Sequence, residues 1–237
     1  MEHFESEAAE LESPLDRVTR EDAEAATSGH LVRMIDFFFA LVLGQGILRF
    51  DDVLVSPSTG NLSLWIALLA IYYTVVRSFV GWHAAIEQRR YRILTGNVRT
   101  TELWRFYIDV VIAVVYAYML IAAEPLKADG GADIRNLLWA FPLVFVLYAA
   151  WGQLRRVAWG DDDFRLRLLA IFGVLYAGLA VVYSLLDTTA RWNVVALLLT
   201  FVLMFLYRYI NFWQGHDDRR RWAGIPRPRM PRLTALR

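Results

Sequence analysis

Cysteine is absent from the chain. That excludes disulfides, thiolate metal sites and a cysteine nucleophile, and it leaves the redox compartment open. Histidine is scarce: of His3, His30, His83 and His216, only His83 adjoins an apolar stretch. Bis-histidine haem and multi-histidine metal sites therefore lack ligands, and no metal or other cofactor is expected. The H-E-x-x-H, G-x-S-x-G and phosphate-loop signatures are missing as well, which argues against an ordinary hydrolase or a nucleotide-driven pump; no enzyme activity is expected. Lysine occurs once, at Lys127, and every other basic side chain is an arginine. An arginine excess without positional content says little about phosphate binding, and no nucleic-acid partner is expected. No polar connection exceeds about 20 residues, which leaves no room for a separate catalytic domain.

What the chain has in abundance is apolar length. Hydrophobic residues make up 57% of it and the mean hydropathy is +0.35. Six apolar stretches lie at about 31–50, 62–84, 104–123, 137–155, 166–186 and 193–213. Each is near the ~20 residues that a helix needs to cross ~30 Å of hydrocarbon. Soluble helices of this kind would have no polar faces left for water, and β-barrel strands would be shorter and alternating. The expected fold is all-α: a polytopic integral membrane protein with six transmembrane helices over residues 30–215, in contact with the lipid bilayer of a cell membrane. An acidic arm, residues 1–29, is expected to be disordered or weakly helical. It has neither the basic start nor the early apolar core of a secretory signal, so the first span is expected to be retained. At the other end, residues 216–237 form a basic tail in which Pro226, Pro228 and Pro231 alternate with Arg227, Arg229 and Arg232. Such a strip is expected to be extended and able to attract anionic lipid at ~1 kcal/mol per arginine.

Tryptophans mark the span ends, where amphipathic rings settle at headgroup level. Trp65, Trp139 and Trp192 stand at one set of ends, and Trp82, Trp104, Trp151 and Trp213 at the other. Basic residues fix the orientation, because basic loops resist translocation. The two termini, the second loop and the fourth loop carry 20 of them, against Arg49, Lys127, Arg135 and Arg191 on the opposite side. Both termini are therefore expected in the cytoplasm.

Charges inside the spans are the most informative feature, since each costs roughly 2.5–3.5 kcal/mol at a helix centre on insertion scales. They are Asp36, Arg77 and Asp109. Asp36 and Asp109 each lie about one turn inside the cytoplasmic end of their helix, and Arg77 is deeper on a helix running the other way. The expected arrangement has Arg77 bridging both acids and tying the first three helices together, as a clamp or as part of a polar pathway. Tyr73, one turn before Arg77, and Tyr116, below Asp109, would extend the polar stripe. Gln45, within Gly44-Gln45-Gly46, makes the first helix a candidate lining segment, with plain helix packing as the alternative. Gly173 and Ala177 form a small-xxx-small face suited to packing or to a homo-oligomer seam. Thr200, Met204, Tyr207 or Arg208, and Asn211 line one side of the last helix, with Arg208 expected to snorkel to the cytoplasmic surface. His83 and Glu87 are i, i+4 neighbours, a spacing that is more often structural.

Arg33-Met34-Ile35-Asp36-Phe37 early in the first helix, and Ser78-Phe79-Val80-Gly81-Trp82-His83 late in the second, weakly resemble the prokaryotic relatives of the endolysosomal potassium channel. That family has six-helix subunits with an Arg followed by Phe-Ser-Asp on its first helix and a Ser-Phe, Trp and His series on its second. Here the Phe-Ser-Asp is missing, Asp36 follows Arg33 too soon, and Trp82 and His83 crowd against Ser78-Phe79. The resemblance covers about a fifth of the chain and implies an oligomer conducting ions along its first helix. Two functions are thus in competition: an ion channel or small transporter with a charged layer on helices one to three, and a non-catalytic membrane scaffold or sensor acting through its tails.

Overall fold

A computed structural model describes residues 14–55, 61–88, 99–159, 163–186 and 189–222. Six long helices account for nearly all of them: α1 (Pro14–Arg49), α2 (Leu62–Gln88), α3 (Arg99–Ala123), α4 (Arg135–Trp159), α5 (Asp163–Ser184) and α6 (Ala190–Trp222). Each holds a segment long and apolar enough to cross a membrane. The chain is an all-α, multi-pass integral membrane protein, as its hydropathy requires.

The spans lie close to the expected stretches, but two helices run further. α1 begins at Pro14, so the second half of the acidic arm continues the first span as helix. Proline suits a first helical position, acidic side chains favour a helix N-terminus, and Ala23, Ala25 and Ala26 are strong helix formers. α6 continues to Trp222, beyond the expected limit at 213 and through Asp217 to Arg221. The start of the arm, residues 1–13, and the Pro/Arg strip, residues 223–237, lie outside the described residues.

α4 packs along α3 and α5, α2 along α6, and α1 along α3 with a lighter contact to α2; α5 also meets α6. α2 and α3 are thereby the most enclosed spans and α1 the most peripheral. Exposed Phe37, Ile47 and Leu48 on α1 are its lipid face, since hydrocarbon gives apolar side chains no reason to hide. What holds the helices together is packing and internal hydrogen bonding. Phe141 of α4 stacks on Tyr176 of α5 at 5.5 Å, and Phe145 lies 5.0 Å from Tyr176 and 4.9 Å from Tyr207 of α6. Gly173 is turned towards Phe145, whose Cβ stands 3.5 Å from where a Cβ on the glycine would be. Its small size therefore serves the α4–α5 seam inside this chain, with Ala177 half-buried one turn on, rather than an outer oligomer face.

Away from the termini, two polar devices pin the connections. Asn193 is fully buried at the start of α6; its amide donates to the Gly130 and Ala132 carbonyls and its oxygen accepts from Tyr183. All its capacity to donate is thus used within the protein. The single lysine caps α1: Lys127 Nζ donates to the Arg49 carbonyl and to Asp52 Oδ1, each at 2.9 Å. A cation at a helix C-terminus satisfies an orphan carbonyl and complements the macrodipole.

Two consequences are measurable. A Cβ at Gly46 would collide with the Tyr72 hydroxyl and stand 3.0 Å from Leu120, so α1 approaches α2 and α3 there by virtue of having no side chain. Gly46→Ala is expected to lower the thermal stability of the solubilised protein by about 1–3 kcal/mol, the usual cost of overpacking. Tyr72→Phe, which removes a buried hydroxyl without a partner, should recover much of it in a double-mutant cycle; additive losses would place the clash elsewhere. The second concerns Asp52, whose carboxyl is held below its ordinary pKa first by its hydrogen bond to Lys127. A carboxyl with a lowered folded pKa stabilises the fold above its unfolded pKa of about 3.9 and loses that contribution as pH falls through the folded value. Wild type should therefore exceed Asp52→Asn in melting temperature near neutrality, and the gap should close on acidification below about pH 4.

Candidate functional site

Polar side chains inside the bundle fall into two layers. The first gathers around Arg208. α6 runs from its start at Ala190 back towards the side that bears the termini, and side chains on a helix lean towards its N-terminus. Arg208 therefore reaches inward instead of out. Its Nη2 donates to Ser78 Oγ of α2 at 2.9 Å and to Tyr148 OH of α4 at 3.2 Å. Tyr116 of α3, fully buried, donates to Ser78 Oγ at 2.6 Å, and its hydroxyl and Ser78 each meet that of Tyr148. The guanidinium also lies 5.6 Å from the Tyr148 ring centre and 5.3 Å from that of Tyr207, within cation–π range. Four helices thus meet at one cation and three hydroxyls. Nε is buried without a hydrogen-bond partner, and Nη1 stands 3.8 Å from where a Cβ on Gly81 would be. Among the described residues no carboxylate pairs with Arg208.

The second layer is nearer the termini and contains the acids. Asp36 of α1 faces His83 of α2, with Oδ1 2.9 Å from Nε2. Trp82 of α2 donates from Nε1 to Asp109 Oδ2 of α3 at 3.2 Å. Glu102 and Arg105, 3.5 Å apart and both almost wholly buried, lie on α3 one turn further out, with the Arg105 guanidinium 4.9 Å from the Trp151 ring of α4. Phe39 of α1 links the layers, 5.1 Å from Phe79, 6.4 Å from Trp82 and 6.0 Å from Tyr116.

The expected bridge is therefore not the one formed. Both acids are tied to α2, as the sequence suggested, but by Trp82 and His83 rather than by Arg77. Those two residues lie more than a turn closer to the termini, at the level of the carboxylates, whereas the Arg77 side chain leans back the other way. Arg77 makes no ion pair among the described residues, and its Nε is buried without a partner. His83 is engaged with Asp36; the side chain of its i+4 neighbour Glu87 lies outside those described. Tyr73 packs in the α2–α6 seam, 5.5 Å from Phe201, away from both layers. Tyr116 is a member of the Arg208 layer, where the expectation was a polar stripe below Asp109. Gln45 is exposed on the outer face between α1 and α3, which does not make it a lining residue of the interior. Thr200, Met204 and Tyr207, expected on one side of the last helix, are all buried, and Tyr176 donates to the Thr200 carbonyl at 2.8 Å.

Sequence reasoning missed Tyr148 and gave Arg208 the wrong direction. The signal available was the lean of helical side chains: an arginine one turn before the end of a span points back into the membrane unless it bends around. Neither a family model, a curated protein nor a solved structure matches the chain. The likeness of α1 and α2 to the potassium channel family accordingly has no family match behind it.

The two acid contacts differ in burial, which orders their mutational cost. Asp109 is 5% exposed while the Asp36 and His83 side chains are each over a third exposed. Trp82→Phe withdraws a donor from a buried carboxylate and is expected to cost about 2–3 kcal/mol, partly recovered by Asp109→Asn. His83→Gln should cost under about 1 kcal/mol, as solvent-screened pairs do. Melting curves of the three variants check the order, and an equal or reversed pair of losses would contradict it.

Proposed function

We propose that the protein is an ion channel or small transporter and that the ion it handles is an anion, met at Arg208. The observation that supports this is a guanidinium surrounded by neutral hydroxyls. Ser78, Tyr116 and Tyr148 can orient and hydrogen-bond the group, but hydroxyls carry no formal charge to balance it. A cation kept in a membrane interior costs several kcal/mol, and such residues mark pathways and ligand sites by default. Arginine in a pore selects for anions, and its planar donors suit carboxylate or phosphate oxygens. The three hydroxyls can turn to donate to the same guest.

The acids support a different role in this reading. Asp36 and Asp109 hold α1 and α3 against α2 through His83 and Trp82, which makes the second layer a helix clamp. The asymmetry of basic residues favours a cell membrane with both termini on the cytoplasmic side. The scaffold alternative rests on the two tails, whose extremities lie outside the described residues, and no described contact favours it.

The test is anion flux into proteoliposomes, with chloride and small carboxylates as probes and protease access to the termini as the check on insertion. Wild type is expected to pass at least one of them. Arg208→Gln should reduce that flux about tenfold or more, the effect of losing roughly 1.4 kcal/mol of favourable interaction. Arg208→Lys should retain part of it, and Asp36→Asn should leave it nearly unchanged. Properly inserted protein that passes no anion, or an Arg208→Gln variant that equals wild type, would overturn the proposal.

A further inference from the structure

A groove of about 170 Å³ opens on the outer face of the bundle between α1 and α3. Val42 and Leu120 form its buried floor, Ala117 one wall, and Gln45 and Arg49 follow along α1 at one-turn intervals. We propose that this groove is a binding site for a single zwitterionic aminophospholipid, one whose headgroup carries a phosphate and a primary ammonium.

Three features support that occupant. The floor is apolar and runs with the helix axis, as an acyl chain would. At its mouth stand two cations and two carboxylates: Arg49 lies 3.3 Å from Glu124, and Lys127 2.9 Å from Asp52. That set has no net charge. An anionic headgroup would gain Arg49 and be repelled by Glu124, whereas a zwitterion can set its phosphate on Arg49 and its ammonium on Glu124. Both side chains are accessible to it, being 38% and 48% exposed, and their mutual pair opens to the headgroup. Lys127 is already committed to the Arg49 carbonyl and Asp52.

Gln45 is the second, independent indication. It is exposed about 6 Å below Arg49 along the helix, and its amide makes no hydrogen bond among the described residues. An amide facing hydrocarbon with no partner is costly. At that depth beneath a headgroup the ester carbonyls of the same lipid would accept from its NH₂.

The test is native mass spectrometry of the full-length protein, delipidated and offered equal amounts of phosphatidylethanolamine and phosphatidylglycerol. Wild type is expected to retain one phosphatidylethanolamine roughly tenfold more tightly, the scale of one contact to a charged group. Glu124→Gln should erase or invert that preference. Ala117→Phe, which fills the groove, should abolish tight retention; Gln45→Leu, at an exposed position that the fold does not need, should weaken it. Equal retention of the two lipids by wild type would overturn the proposal. So would retention that neither Ala117→Phe nor Gln45→Leu changes. A change of oligomeric state in Ala117→Phe, with lipid retention intact, would assign the groove to a second copy of the chain instead.

Discussion

Hydrocarbon offers no water, so a polar atom inside a bilayer must find its partner within the protein or in something the protein binds. That constraint organises the whole bundle. It explains why Asn193 is enclosed by two carbonyls and a tyrosine hydroxyl, so that the approach to α6 is locked to the connection before α4. It explains why Tyr176, buried in an aromatic stack, still spends its hydroxyl on the Thr200 carbonyl. It also explains why the chain's only lysine sits on the last carbonyl of α1, where a helix end would otherwise face the membrane boundary unsatisfied.

The same constraint separates two kinds of interior charge. Asp109 accepts from Trp82 and Asp36 stands 2.9 Å from His83, which draws three helices together. Arg208 is different, because the groups that its guanidinium meets are neutral hydroxyls; a buried Nε without a hydrogen-bond partner is a feature it shares with Arg77. On the proposed reading, a group that the fold leaves charged would be stabilised by what comes to it, and for a guanidinium that is an anion. Gln45 poses the same problem on the outer surface, where the available guest is lipid. The proposed interior site and the proposed outer groove follow from one rule, applied to the two solvents a membrane protein meets.

Much of this was legible in the sequence. Span number and approximate limits follow from apolar length, and the buried face of α6 follows from Thr200, Met204 and Tyr207 at helical spacing. The extra length of α1 and α6 was obscured because hydropathy marks where lipid begins, while a helix continues wherever propensity allows. That Asp36 and Asp109 are held by α2 was also foreseeable. Which residues hold them was not, because the partner depends on axial offset and rotation between helices, and a shift of five residues exchanges Arg77 for Trp82. Glu102 escaped notice for a related reason: it precedes the apolar run of α3 by two residues, yet it is buried beside Arg105, whose guanidinium lies against Trp151. Arg208 was visible as a charge, and its direction followed from the lean of helical side chains rather than from its nearness to a membrane surface.

If Arg208 meets an anion as proposed, its positive charge faces a space that anions can enter. Gly81 offers the most direct test, since it is exposed, a Cβ there would be 3.8 Å from Arg208 Nη1, and the native chain has no cysteine. In Gly81→Cys protein held in liposomes, the rates of modification by negatively and positively charged methanethiosulfonates can be compared directly. The account requires the anionic reagent to react faster, and requires that advantage to vanish when Arg208 is also changed to Gln. An introduced thiol that neither reagent reaches, or that both modify at rates indifferent to Arg208, would contradict it.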